Sequence, residues 1–238
     1  GGGSYNTAFG YQALRDNLTG EGNVAIGGNA GMTQTTGEKN VFVGGSAGSD
    51  WDGDKNVAIG RNSMAQGTAT DRNVAVGYFA LNNLSFAGDA YNVAVGFNAG
   101  LSVTTGKYNT LVGAEAGDAI HTGEYNTVMG YQALSAEDAN GKNVVMGAFA
   151  MQDLNAGADA ENVALGYVAM GNATTGKYNV AVGARAMESG ITTGDNNVSI
   201  GRYAGYAITS GTKNISIGTQ AGDALLGGSD NIAIGQEA

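Results

Sequence analysis

Three aspartates at alternate positions form the most local group of side chains that could do chemistry. Asp50, Asp52 and Asp54 stand in the stretch SDWDGDK, and alternating carboxylates of this kind begin calcium-binding loops. An EF-hand loop also needs an acidic residue at its twelfth position, where this chain has Arg61. We therefore expect an acidic turn here and no metal site in the chain. The three carboxylates are kept as the alternative, a weak candidate for binding calcium.

Aromatic side chains could supply a second kind of contact. Trp51 lies in the same acidic turn, and Tyr108, Tyr125 and Tyr178 each stand directly before an asparagine. Their rings could contact glycans or proteins at a surface. Because the tyrosines recur at one position of a repeat, the sequence favours stacking of the rings along that repeat, with surface contact as the alternative.

Catalytic groups are not evident in the sequence. The only histidine, His121, lies in a predicted turn, and the chain has no cysteine, so a histidine pair, a thiol nucleophile and a disulfide are excluded. Neither a Walker pattern nor a strand-GxGxxG-helix unit occurs. We expect no enzyme, no catalytic residue and no cofactor.

Composition excludes further classes of partner. Eleven basic and twenty-one acidic residues give a formal charge of −10, which would repel a phosphate backbone, so no nucleic acid is expected. No apolar run reaches the roughly 20 residues that span a bilayer, so no membrane insertion is expected either. Forty-two glycines without proline indicate ordered β-structure rather than disorder, because proline interrupts paired strands. Residues 1–4, Gly-Gly-Gly-Ser, read as a linker.

One repeated unit fills residues 5–238 and must position any of these side chains. It is anchored by an asparagine, as in NVAIGGNAG, and the steps between anchors are mostly 17 residues, with single steps of 16 and 18 and two of 19. Such spacing predicts a solenoid of 14 coils. The anchors are Asn6, Asn23, Asn40, Asn56, Asn73, Asn92, Asn109, Asn126, Asn143, Asn162, Asn179, Asn197, Asn214 and Asn231.

Each unit predicts one short strand and a corner. The first and third residues after the asparagine are β-branched or otherwise apolar, as in Val57 and Ile59, and this period of two indicates a strand whose apolar pair faces the coil interior. The fourth residue is always glycine, which suits a corner with a positive φ; examples are Gly27, Gly44, Gly60, Gly77, Gly96 and Gly113. The asparagine column predicts a ladder of stacked amides, with a ligand-binding row as the alternative.

The residue between the apolar pair suggests a partner. This second residue after the asparagine is Ala25, Phe42 and Ala58 in three successive units, and it is uncharged in every unit. If the pair faces inward, this uncharged column faces outward, and both faces of the strand are expected to be buried. The sequence therefore predicts that another chain covers the outer face, most simply a second copy.

The pattern Asn-Val-Ala-Ile-Gly-x-x-Ala resembles the head repeat of trimeric autotransporter adhesins, the YadA-type head, over residues 5–238. YNTAFGYQAL, with its later Thr-Thr-Gly turn, also resembles repeats of bacteriophage tail fibres. The resemblance implies a left-handed parallel β-roll of three identical chains, with core pairs such as Val24 and Ile26 and a corner at Gly27.

These observations predict an extracellular structural or adhesive fibre segment, a head or shaft on a cell or virion surface. We expect a homotrimer whose outer turns bind a host receptor, matrix component or glycan. The alternative is a filament subunit that stacks end to end through uncapped coils. An ice-binding face is less favoured, because no column of the repeat is consistently threonine.

Overall fold

The chain is all-β. The computed structural model describes residues 3–136, 139, 141–157, 159–189 and 192–238, so Gly1 and Gly2 of the predicted linker lie outside the described residues. Within these ranges there is no helix, and hence none that could cross a membrane. The chain divides into two compact units, Gly1–Thr122 and Gly123–Ala238, and each is a parallel β-solenoid.

Both units consist of three-residue strands, one for each predicted coil. The first unit contains β1 Thr7–Phe9, β2 Val24–Ile26, β3 Val41–Val43, β4 Val57–Ile59, β6 Val74–Val76, β8 Val93–Val95 and β9 Thr110–Val112, with two short strands, β5 Thr70–Asp71 and β7 Gly88–Asp89. The second contains β10 Thr127–Met129, β11 Val144–Met146, β12 Val163–Leu165, β13 Val180–Val182, β14 Val198–Ile200, β15 Ile215–Ile217 and β16 Ile232–Ile234.

Within each unit the three-residue strands form one parallel ladder in which equivalent residues of successive coils are paired. In the first unit Ala25 pairs with Phe42, and in the second Val145 pairs with Ala164. The sequence period thus sets the register, because one coil places each residue type beside its equivalent in the next. β5 and β7 form a separate two-stranded parallel sheet.

The inside and outside of the strands are the reverse of the prediction. The middle residue faces the coil interior: Ala25, Phe42 and Ala58 are completely buried. The apolar pair faces outward, and Ile26 and Ile59 are 40% and 39% exposed. The prediction that pairs such as Val24 and Ile26 form the core is therefore wrong, because alternation fixes which residues share a face but not which face is buried.

The interior is narrow and filled by small residues that alternate with single large ones. The eighth residue after the asparagine is buried and is leucine, methionine or glycine, as at Leu81, Met64 and Gly48. A Cβ added to Gly48 would lie 2.5 Å from the ring of Phe42, and Gly48 also has a φ of +57°. The glycine at this position therefore makes room for the ring of Phe42, whereas coils with a large residue there, such as Met64 and Leu81, have alanine in the middle of the strand.

Candidate interaction surface

The outward strand residues form an apolar surface on each unit, which we call the strand face. It consists of the first and third residues after each anchor asparagine, all of them valine, isoleucine, leucine, methionine, phenylalanine or threonine. In the first unit Val95 is 37% exposed, and in the second Met129 and Met146 are 45% and 42% exposed. Seven strands about 4.8 Å apart give each face a length of about 30 Å.

The strand face is unusual for a surface in contact with water. Monomeric proteins rarely expose a contiguous apolar patch larger than a few hundred Å², and such patches mark sites of association. A parallel ladder is normally covered on both faces, whereas here only the inner face packs against its own coil. The sequence predicted that the middle residue of each strand lies on the outer face, whereas the structure places residues such as Ile59 and Val95 there. That another chain covers this face stays a prediction.

The anchor asparagines, which directly precede the strands, are buried in all but the first and last coils and hydrogen-bond to neighbouring coils. The backbone N–H of Asn40 donates to Asn23 Oδ1 at 2.9 Å, and Asn23 Nδ2 donates to the Gly37 carbonyl oxygen at 2.8 Å. The second unit repeats this arrangement, with the Asn162 N–H on Asn143 Oδ1 at 3.0 Å. Each amide thus joins two coils at a buried position, where an unpaired backbone group would be costly.

The same arrangement holds along the column within each unit. Asn23, Asn40, Asn56, Asn73, Asn92 and Asn109 of the first unit are all completely buried. Their amides have no access to a ligand from solution. We therefore describe the column as a structural ladder that fixes where each strand begins.

The glycine that ends each strand turns the chain sharply away from the strand face. Gly27 has a φ of +134°, and a Cβ there would lie 2.6 Å from the Gly44 carbonyl oxygen of the next coil. Both the dihedral angle and the close approach therefore require glycine. The same positive φ occurs at Gly44, Gly60, Gly77, Gly96 and Gly113.

No protein-family model and no curated protein matches the chain. Membership of a family is therefore not shown, and the resemblance of the repeat to adhesin heads and tail fibres stays a prediction.

The predicted surface aromatics divide into one buried residue and three exposed ones. Trp51 is completely buried, and its Nε1 donates to the Thr70 carbonyl oxygen at 3.0 Å. It cannot contact a partner, so its assignment to the surface is wrong; the indole fills space beside Gly67, where a Cβ would lie 2.2 Å from the ring. Tyr108, Tyr125 and Tyr178 are each about half exposed.

The exposed tyrosines lie at the N-terminal border of the strand face, because each directly precedes an anchor asparagine. In the first unit the rings of Tyr91 and Tyr108 are stacked, with centroids 5.7 Å apart and an interplanar angle of 12°. A stacked ring offers an edge rather than both faces to a ligand. The stacking therefore favours a structural role for these tyrosines, at the border of the strand face, over the binding of a sugar between their rings.

The three aspartates of the acidic turn are held differently from the ligands of a metal. Asp52 Oδ1 accepts the backbone N–H groups of Thr35 at 2.8 Å, Thr36 at 2.7 Å and Gly37 at 3.0 Å. Asp54 Oδ1 accepts the N–H of Glu38 at 2.8 Å. These carboxylates therefore join the turns of neighbouring coils.

Hydrogen bonding also explains the titration of Asp52. Partial burial raises the pKa of this carboxyl, but the hydrogen bonds from the Thr35 hydroxyl and the three amides lower it more, so its pKa lies below the ordinary value. Asp50 is exposed. Among the described residues, no three histidine, aspartate or glutamate side chains lie close enough together to hold a metal ion.

Proposed function

We propose that this chain is a structural or adhesive fibre segment in which identical copies associate side by side through their strand faces, three copies to a fibre. The segment would project from a cell or virion surface and could present its outer turns, including Tyr108, Tyr125 and Tyr178, to a receptor, matrix component or glycan. One observation carries the proposal: an uncharged, partly exposed, mostly apolar face that repeats at every coil of both units.

A second copy is the occupant that this face fits best. The chain is strongly acidic, so two copies would approach each other only through a surface without charge. The face repeats with the strand spacing, and the face of an identical copy repeats with the same spacing. Side chains from two such faces can therefore meet at every coil, and closed assemblies of identical chains are the commonest oligomers.

The test is the molar mass of the purified protein, measured by light scattering over a range of concentrations. We expect three times the chain mass of 23.8 kDa. A chain that stays at 23.8 kDa at all concentrations would contradict the proposal, and a stable dimer would contradict the number of copies.

A pair of variants locates the association surface. Ile59→Lys places a charge on the strand face, and we expect it to weaken association at least about tenfold, because an unpaired charge would be buried between copies. Gln66→Lys adds the same charge at an exposed position of the same coil outside the strand face, and we expect no change. Equal behaviour of the two variants would show that the strand face is not the interface.

The end-to-end filament stays an alternative prediction. Electron microscopy of the purified protein would distinguish it, since filaments that lengthen with concentration require axial contacts and side-by-side bundles of fixed length do not.

A further inference from the structure

The five arginines fall into two groups. Three are paired with a carboxylate of their own chain: Arg15 with Asp16, Arg72 with Asp89 and Arg185 with Glu188. Arg61 and Arg202 are exposed and make no ion pair within the described part of the chain. Both stand directly after the glycine corner, at the C-terminal border of the strand face. Arg202 lies over the ring of Tyr203 of its own chain, 4.8 Å from the ring centroid, but this contact gives its guanidinium no carboxylate. Arginines without a carboxylate at the edge of an apolar face suggest one supplied from outside the chain.

The coils that carry these two arginines also carry an aspartate at the opposite border. Asp54 and Asp195 each stand two residues before the anchor asparagine of the same coil as Arg61 and Arg202. Asp195 Oδ1 accepts the Lys177 N–H at 2.8 Å, and neither aspartate makes an ion pair with another residue that the structure describes. The aspartate and the arginine of one coil are seven positions apart, with the extended strand between them, so the two side chains lie at opposite borders of the strand face.

The relative direction of two copies decides which borders meet. When two ladders face each other and run parallel, the C-terminal border of one lies against the N-terminal border of the other. When they run antiparallel, the two C-terminal borders meet. The C-terminal border contains no acidic residue; its members are Tyr11, Gly28, Gly45, Arg61, Tyr78, Phe97, Ala114, Tyr131, Ala148, Tyr167, Ala184, Arg202, Thr219 and Gln236. Only the parallel arrangement gives the arginines a carboxylate.

Arg202 also selects one register. With equivalent coils side by side, it lies opposite Asp195 and Asn196 of the neighbouring copy. A shift by one coil places it opposite Lys177 in one direction and Lys213 in the other, and like charges at such a contact are unfavourable. Arg61 distinguishes the registers less strongly than Arg202, because Lys55 stands beside Asp54 and the adjacent coils also carry acidic residues at this border.

We infer that copies of this chain pack parallel and in register, with Arg202 paired to Asp195, and Arg61 to Asp54, of the neighbouring copy. This rests on the proposed side-by-side association and adds its direction, its register and the charged residues that specify them. The apolar strand face supplies the contact area, and the two borders determine how the faces are aligned.

The test is a double-mutant cycle on the dissociation constant of the oligomer, measured by analytical ultracentrifugation. The variants are Arg202→Gln and Asp195→Asn; asparagine keeps the amide oxygen that can accept the Lys177 N–H, so the coil is preserved. Exposed ion pairs contribute modestly, and we expect each single variant to weaken association about two- to fivefold per contact. The double variant should be no weaker than either single variant.

Two controls make the outcome specific. Arg15→Gln removes an arginine that is paired within its own chain and should leave association unchanged. Arg61→Gln combined with Asp195→Asn joins residues of different coils, so their effects should be additive, whereas Arg61→Gln with Asp54→Asn should show coupling. If the wild type is an oligomer but Arg202 and Asp195 act additively, the inferred pairing is wrong and the proposed association stands. A monomeric wild type would overturn both.

Discussion

The inner and outer sides of the same strands carry opposite kinds of residue. Inside, positions such as Ala75 and Ala94 are small and completely buried, because the coil leaves little space between its walls. Outside, the neighbouring Val76 and Val95 are larger, apolar and partly exposed. In most half-buried strands the larger apolar residues face the core and polar residues face water. This reversal is the reason why we propose that the outer side is covered by another surface.

The strongest test of this comparison places the same charge on the two sides of one strand. Ala94→Asp buries an unpaired carboxylate inside the first unit, and we expect it to lower the free energy of unfolding by about 4 kcal/mol or more. Val95→Asp, one residue later, should change the stability of the single chain by only about 0.5 kcal/mol while preventing association.

Urea unfolding followed by circular dichroism measures the first effect, at a protein concentration where wild type and variants are both dissociated. Light scattering measures the second. A chain that tolerates Ala94→Asp as well as Val95→Asp would show that the inner and outer sides have been assigned wrongly.

A second test concerns the buried polar residues on the inner side. Asn40 Oδ1 accepts the Asn56 N–H at 2.8 Å, and its Nδ2 donates to the Gly53 carbonyl oxygen at 2.7 Å. Asn40→Ala leaves the Asn56 N–H and the Gly53 carbonyl oxygen buried without these partners. We expect the free energy of unfolding to fall by about 2–4 kcal/mol, measured by urea unfolding.

The matched control for this loss is another asparagine of the neighbouring coil. Asn29 has a φ of +61° and an Oδ1 without a hydrogen bond. Asn29→Gly removes an amide where glycine suits the backbone, and stability should change by less than about 1 kcal/mol. Equal losses from the two substitutions would mean that the ladder contributes nothing particular to stability.

The sequence was sufficient to predict the coils but not which residues of each strand face the coil interior. Asparagines at nearly constant spacing, with a glycine four residues later, predict parallel strands and corners, because only a repeated backbone geometry needs the same residues at each coil. The period of two in Val24-Ala25-Ile26 does not say which side is buried. Larger apolar residues usually face a core, and this preference favoured the wrong answer.

Two details of the candidate surface also depend on contacts between coils. Trp51 stands between acidic residues, which suggested exposure, yet the indole enters the interior beside Gly67. The pairing of Arg15 with Asp16 is local in sequence. That Arg61 and Arg202 make no ion pair with the residues described by the structure is evident only when the neighbouring coils are in place. Residues distant in sequence determine both outcomes.

The smallest expected effect concerns a polar turn outside the ladder, where stability depends on charge rather than apolar contact. Five hydrogen bonds to Asp52, from three backbone N–H groups and two threonine hydroxyls, favour its ionised form. They hold its pKa below the ordinary value despite the opposing effect of burial. A carboxyl with a lowered folded-state pKa stabilises the protein above its unfolded pKa of about 4. That stabilisation is lost as the pH falls through the lower, folded-state pKa.

Asp52→Asn should therefore cost about 1 kcal/mol at pH 7, since the amide retains one acceptor but not the charge. The cost should stay constant down to about pH 5 and shrink below about pH 4, as the wild-type carboxyl becomes protonated. Asp50→Asn changes an exposed carboxylate two residues away and should not change the free energy of unfolding comparably at any pH. Urea unfolding at pH 7 and pH 3 checks this, and a cost that is unchanged at pH 3 would show that the charge of Asp52 is not what holds the turn.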